Sequence, residues 1–326
     1  MMKTRRRQFI FAAGAALALP LPLHAQGDKR PIRVLIGFPP GGATDAIGRV
    51  VVERLAVELG QPVVVENKPG IGGQLAADAL LAAPADGLTY MVAPNATPTF
   101  QTLVFGDRVK WNFVRDFAPV SAFASYPLGM GVSLSTGVGN VREFVEWIRR
   151  NPDKATFGTP GLGGQNHFLG VQLAKAAGVE LPVVAYKGTP PMVTDLVGGH
   201  LPSAISLMDG LMAHHRAGRI RVVGVFTKER SPLMPDIPTF VEQGVDVTSG
   251  EGWTGMWTRA GTPPAEIERV QRAVQKVLAM PEVKDTLTQR LWAQPHFRDA
   301  KQTDALLRAE LAHWAPIIKA SGFKPE

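Results

Sequence analysis

The stretch Ile32-Arg33-Val34-Leu35-Ile36-Gly37-Phe38-Pro39-Pro40-Gly41-Gly42-Ala43-Thr44-Asp45 decides the fold class. An apolar, β-branched run ends in Pro-Pro-Gly-Gly, and beyond it Ile47, Val50, Val51, Leu55 and Leu59 recur at helical spacing until Gly60 stops the helix. The unit is strand, loop, helix. Short β-branched runs at 63–66, 89–93 and 119–122 alternate with further helical patterns, which predicts an α/β protein built on parallel strands. A second series of the same kind starts at Leu128, with strands expected at 131–134, 155–158, 183–186, 204–207 and 221–226. Two series imply two lobes.

Residues 252–259 read as a further strand with Trp253 and Trp257 on one side, which marks them for core packing. Thr262 is placed to cap a helix whose prolines fall in its first turn. Periodicity through Ile267, Val270, Val274, Val277 and Leu278, and again through Leu306, Leu307, Leu311 and Ile317, predicts helices to the C-terminus. The expected organisation is lobe one from 26–124 plus 252–326 and lobe two from 125–251, with crossovers near Ser125 and Glu251.

The N-terminus has its own logic. Residues 1–7 are basic, 9–21 apolar, and Leu23-His24-Ala25 precedes the polar Gln26-Gly27-Asp28. This is the layout of a signal peptide, residues 1–25, cleaved after Ala25. The apolar run is too short to span a bilayer of about 30 Å as a helix. Arg6-Arg7-Gln8-Phe9-Ile10 also fits a twin-arginine signal, with Sec export equally open. The expected location is the periplasm. With no Cys, neither a lipid anchor nor a disulfide is available, so the core alone must hold the protein together. A 45% hydrophobic composition suits that task.

The formal charge of +7 falls when Lys3, Arg5, Arg6 and Arg7 leave with the signal, because 31 basic residues then face 28 acidic ones. The remaining excess is scattered and forms no basic stripe interleaved with aromatics, so nucleic-acid binding has little support. A mild positive balance tolerates anionic ligands.

Two loops match, one per expected lobe: residues 38–45, and Thr159-Pro160-Gly161-Leu162-Gly163-Gly164-Gln165-Asn166-His167. Each lies at the carboxyl end of a strand and opens a helix, where ligands of open α/β sheets bind. Glycines expose the first amides of the helix, and the helix dipole points the same way, an arrangement suited to a carboxylate. The plainer reading, turn chemistry joining strand to helix, covers most such loops. Neither loop is a nucleotide motif: Gly-x-Gly-x-x-Gly does not follow the first strand, and no Gly-x-x-x-x-Gly-Lys-Ser/Thr occurs.

The 38–45 loop, Gln61-Pro62-Val63-Val64-Val65-Glu66-Asn67-Lys68-Pro69-Gly70, Tyr186-Lys187-Gly188, and Arg230-Ser231-Pro232 with Pro235-Asp236-Ile237-Pro238-Thr239 together resemble the Bug receptors, the substrate-binding proteins of tripartite tricarboxylate transporters. The resemblance runs in order along nearly the whole chain after the signal. It implies a type II periplasmic-binding fold: two lobes, each with a central mixed, mostly parallel sheet flanked by helices, joined by two crossovers. It also implies a small organic carboxylate held between the loops and passed to the membrane subunits of such a transporter. Carried over by position, Gly41, Gly42, Ala43, Thr44 and Asp45 form one half of the clamp, and Thr159, Gly164, Gln165, Asn166 and His167 the other. Family members often have small polar residues where Gln165 and Asn166 stand, so these amides are expected to reshape the pocket.

Phe38 and Tyr186 are candidate walls, with core packing the plainer role for Phe38. Asn95 follows the third strand, where reaching the cleft and making a turn are both open, and Asp209 follows a strand end facing the cleft. Asp45 equally suits a structural place in the first turn of its helix. The expected protein is a monomer without metal or cofactor.

Enzyme parts are missing from the sequence. There is no Gly-x-Ser-x-Gly elbow, no Cys nucleophile and no His-Glu-x-x-His. His214 and His215 are adjacent, so on a helix they diverge by about 100° and chelate one ion poorly. A sensor that presents its liganded form to a membrane signalling protein uses the same closure and stays open as the alternative, ahead of a hydrolase.

Overall fold

The computed structural model describes residues 30–248 and 250–325; the expected signal peptide and its cleavage point lie outside them. In chain order the strands are β1 (Ile32–Ile36), β2 (Val63–Asn67), β3 (Thr89–Pro94), β4 (Phe117–Tyr126), β5 (Leu128–Ser133), β6 (Phe157–Thr159), β7 (Val183–Ala185), β8 (Ser203–Leu207), β9 (Ile220–Val225), β10 (Gly252–Arg259) and β11 (Gln294–Arg298). They form two sheets, ordered β11-β4-β10-β3-β1-β2 and β7-β6-β8-β5-β9.

Both sheets are mixed. In the first, β1 to β4 run one way and β10 and β11 oppose them. In the second only β5 opposes its neighbours. Parallel strands need helical crossovers and are covered on both faces. In β1, accordingly, Val34 and Ile36 join Val51, Leu55, Val270 and Val274 in the core beneath helices Ala43–Leu59 and Pro264–Ala279. Leu35, one residue out of step, faces the opposite cluster with Leu80, Trp253, Trp257 and Leu307. The two indoles pack 6.2 Å apart between ring centroids, inside the core as their spacing predicts.

Chain passage between the sheets is abrupt. Tyr126 ends β4 in the first sheet and Leu128 begins β5 in the second, two residues beyond the expected crossing. Between β9 and β10 the chain folds back on lobe two. Thr239 bridges Val225, Phe226 stacks on Phe240 at 4.0 Å, and Arg230 pairs with Glu242. The Arg-Ser-Pro and Pro-Asp-Ile-Pro-Thr motifs therefore build this return.

Two local expectations fail. Residues 294–298, expected within a run of helices, form β11 on the edge of the first sheet against β4. An edge strand tolerates Pro295 because its partner lies on one side only, and a short strand containing Pro shows little periodicity in sequence. Thr262 is not the cap: Pro263 holds that position, while the Thr262 hydroxyl donates to the Arg259 carbonyl at 2.8 Å.

The last helix, Ala300–Ser321, opens with a capping box between Asp299 and Gln302. Its Leu307 lies in the lobe-one core, whereas Trp314 and Ile318 lie in the lobe-two core with Phe100 and Phe168. One helix thus straddles both lobes, with Glu310 between its two apolar ends.

Candidate functional site

The first loop is built around a left-handed glycine. Gly41 has φ +79°, a conformation other residues adopt only with strain, and its amide donates to Asp45 Oδ2 at 2.9 Å. Gly42 is ordinary extended backbone, φ −72°, and its amide donates to the Pro39 carbonyl at 3.2 Å. No side chain caps the helix, so the first-turn amides of Ala43, Thr44 and Asp45 point out along its axis without intrahelical partners.

Asp45 holds this loop together. Its carboxylate is 2% exposed and accepts from Arg49 Nε at 2.9 and 3.0 Å, from Asn67 Nδ2 at 2.7 Å and from Gly41. Burial alone would raise its pKa, but the hydrogen bonds from Arg49, Asn67 and Gly41 outweigh burial and hold it below the usual carboxylate range. Asn67, at the end of β2, also donates to the Phe38 carbonyl at 3.0 Å. Asn67 of the Glu66-Asn67-Lys68 motif is thus a brace for the first loop.

The second loop repeats the device. Gly163 is left-handed, φ +73°, Gly164 is extended, and the Gly163 amide donates to His167 Nδ1 at 3.2 Å. In both loops the third helical side chain reaches back to the amide of the glycine before the cap. The first-turn amides of Gln165, Asn166 and His167 are left facing outward, again with no side-chain cap. Because Nδ1 is an acceptor, the His167 ring is neutral with its proton on Nε2. Burial, in a site where Phe323 packs edge-on 4.8 Å away, lowers its pKa. The Thr159 hydroxyl donates to the Gly161 carbonyl at 2.9 Å and steadies the turn.

A buried polar chain joins the lobes. Asn95 Nδ2 donates to Gln165 Oε1 at 3.0 Å, across the cleft, and to Glu310 Oε1 at 3.2 Å; Thr99 donates to the other Glu310 oxygen at 2.7 Å. Burial pushes Glu310 up to about 7, against the opposing hydrogen bonds from Thr99 and Asn95 and the charge of Arg298. Gln165 Nε2, a donor, and Asn166 Oδ1, an acceptor, are buried without protein hydrogen-bond partners.

Between the lobes a cavity of about 10 Å³ is lined by Ala43 and Ile47 of the first helix, Tyr126 at the crossover, Leu207 and Asp209 of lobe two, and Trp292 of lobe one. Burial raises the Asp209 carboxyl, whose Oδ1 accepts from the Gly210 amide at 2.8 Å.

Among the candidate residues, Ala43 and Asp209 line the interlobe cavity and Asn95 bonds Gln165, Thr44 and Asn166 lie in the first turns of their uncapped helices, and Thr159 and the side chains of Asp45 and His167 hold the loops. The amides of Gly41 and Gly42 are occupied, so those residues shape the first loop instead of offering donors. Phe38 packs on the lobe-one core, and the Tyr186 hydroxyl donates to Asp195 at 2.8 Å inside lobe two; neither is a wall of this cavity. Sequence reading passed over Arg49, Tyr126, Leu207, Trp292 and Glu310. Only Asn67, within a quoted motif, carried a signal.

Residues 47–323 match the family model described as the tripartite tricarboxylate transporter family receptor. The chain belongs to this receptor family. It is a family of solute-binding receptors, not of enzymes. The UPF0065 protein of the tcbD-tcbE intergenic region of a Pseudomonas species is 35% identical over 265 residues, 80% of this chain and 77% of the relative. Among solved receptors, periplasmic binding protein BugD is similar with a TM-score of 0.79 and 26% identity, over 91% of this chain and 99% of that one. A Rhodopseudomonas palustris protein solved with adipate gives 0.82 and 27%, over 91% and 98%.

Proposed function

We propose that this chain is an exported periplasmic receptor that captures a small carboxylate in the interlobe cleft and delivers it to the membrane subunits of a tripartite tricarboxylate-type transporter. The observation that carries the proposal is the pair of uncapped helix N-termini, one per lobe, set on loops of the same construction. The amides of Ala43 and Thr44 receive the carboxylate from one side; those of Gln165 and Asn166, with the unpartnered Gln165 Nε2 as a further donor, complete the grip when the lobes close. Asp45, His167 and Thr159 keep the donors aimed. Adipate in a similar receptor supports a carboxylate as the ligand class.

A thermal-shift screen against small carboxylates and their neutral amides tests this. An acid at 100 times its dissociation constant adds about 2.7 kcal/mol of stability. Acids that raise the midpoint while their amides do not bear the proposal out. Equal shifts from acid and amide would remove the carboxylate clamp.

A further inference from the structure

We propose that Trp292 is the latch of the interlobe cleft and the wall that limits the size of the anion enclosed there, a reading that rests on the carboxylate-receptor function above. Trp292 belongs to lobe one, between a π-helical turn at Thr286–Arg290 and β11. Among the described residues it alone combines a side chain with positive φ, +51°. That conformation strains any residue with a β-carbon, and such strain persists where the surroundings over-determine it, typically at functional sites.

What holds Trp292 there comes from the other lobe. Its ring packs against the lobe-two cluster containing Met192, Met208 and Met212, and the Arg216 guanidinium sits 4.4 Å from its centroid. The exchange is reciprocal, because Leu207 of lobe two packs against the lobe-one core. Both side chains line the interlobe cavity together with Ala43, whose amide opens the first helix. Closure therefore seats Trp292 on lobe two, and the contacts made there offset the strained backbone only while the lobes stay together.

Ligand size follows from the same geometry. With Trp292 seated, the cavity of about 10 Å³ holds no more than roughly one water. An acid enters only from an open form, and its bulk beyond the carboxylate displaces the latch in proportion to its length. A short acid lets Trp292 seat again; a long one holds it off lobe two.

The chain has no Cys, so Glu53→Cys and Ala176→Cys, on exposed helical positions of lobes one and two, give a single spin-label pair whose distance reports closure without any ligand. The parent pair is expected to show a short-distance population. Trp292→Gly, which frees the backbone and removes the ring, should reduce that population at least tenfold in a protein that still unfolds cooperatively. Arg216→Gln should reduce it about two- to fivefold, the worth of an exposed cation–π contact. Calorimetric titration with succinate and with adipate then reads size selection, and Trp292→Gly should shift the affinity ratio toward adipate at least fivefold. A parent distribution without the short distance, or one unmoved by either variant, overturns the latch. An unchanged affinity ratio overturns the wall. Correct distances in a protein that binds neither acid would leave the latch standing and remove the carboxylate-receptor reading instead.

Discussion

Replacing Asp45 by Ala removes one carboxylate and strands three donors. The Gly41 amide, Asn67 Nδ2 and Arg49 Nε each lose an acceptor within 3.0 Å. A hydrogen bond to a charged group contributes about 1.5–3 kcal/mol when its loss leaves a buried partner unpaired. Gly41 is exposed and the Arg49 side chain is 36% exposed, so both recover water and their share is small. Asn67 keeps its bond to the Phe38 carbonyl and the one its Oδ1 accepts from Arg49 Nη2, but its Nδ2 loses a partner at 2.7 Å and contributes most of the loss. The expected destabilisation at pH 7 is about 2–3 kcal/mol, which lowers the midpoint of a chain this size by roughly 5 °C. The native pKa of Asp45 lies below its unfolded value. Its contribution is therefore complete above about pH 4 and is lost as pH falls through the native pKa. Urea unfolding of wild type and Asp45→Ala between pH 7 and pH 2 checks both points: the gap should be open at pH 7 and close toward pH 2. A gap under about 0.5 kcal/mol at pH 7, or one that persists unchanged at pH 2, refutes the brace.

Glu310 has the opposite sign. Its native pKa of about 7 lies above the unfolded value, so its contribution is present below about pH 4.5 and is lost as pH rises through 7. Relative to Glu310→Gln, wild type should lose about 3 kcal/mol between pH 4.5 and pH 8, read from urea midpoints across that range; parallel curves would remove the raised acid. At the first loop, Gly41→Ala should cost about 1 kcal/mol or more because φ there is +79°. Gly42→Ala, with φ −72°, escapes that strain and should cost less, its added Cβ meeting only the Pro39 carbonyl oxygen at 3.3 Å; a larger cost at Gly42 than at Gly41 in denaturant titration would contradict the turn geometry.

Much of this was legible in the chain. The continuous apolar run from Ile32 and the 3.6-residue pattern up to Gly60 identify β1 and its helix, because burial on both faces makes a strand apolar throughout while burial of one helix face forces the helical period. The two Gly-Gly loops were visible as local turn chemistry. Which amide each glycine presents was not, because that depends on Asp45 and His167 folding back four residues onto Gly41 and Gly163. β11 escaped notice because an edge strand with a proline needs no alternation.

The sequence by itself determined the α/β class, the two series of strands and the two anion-suited loops, since each follows from spacing within some twenty residues. Only the tertiary structure decided which side chains meet across the two lobes. Asn95, Gln165 and Glu310 meet across separations of 70 and 215 residues, and Trp292 reaches lobe two from the far end of lobe one. Contacts of that range carry no periodicity, so only the folded chain brings them together.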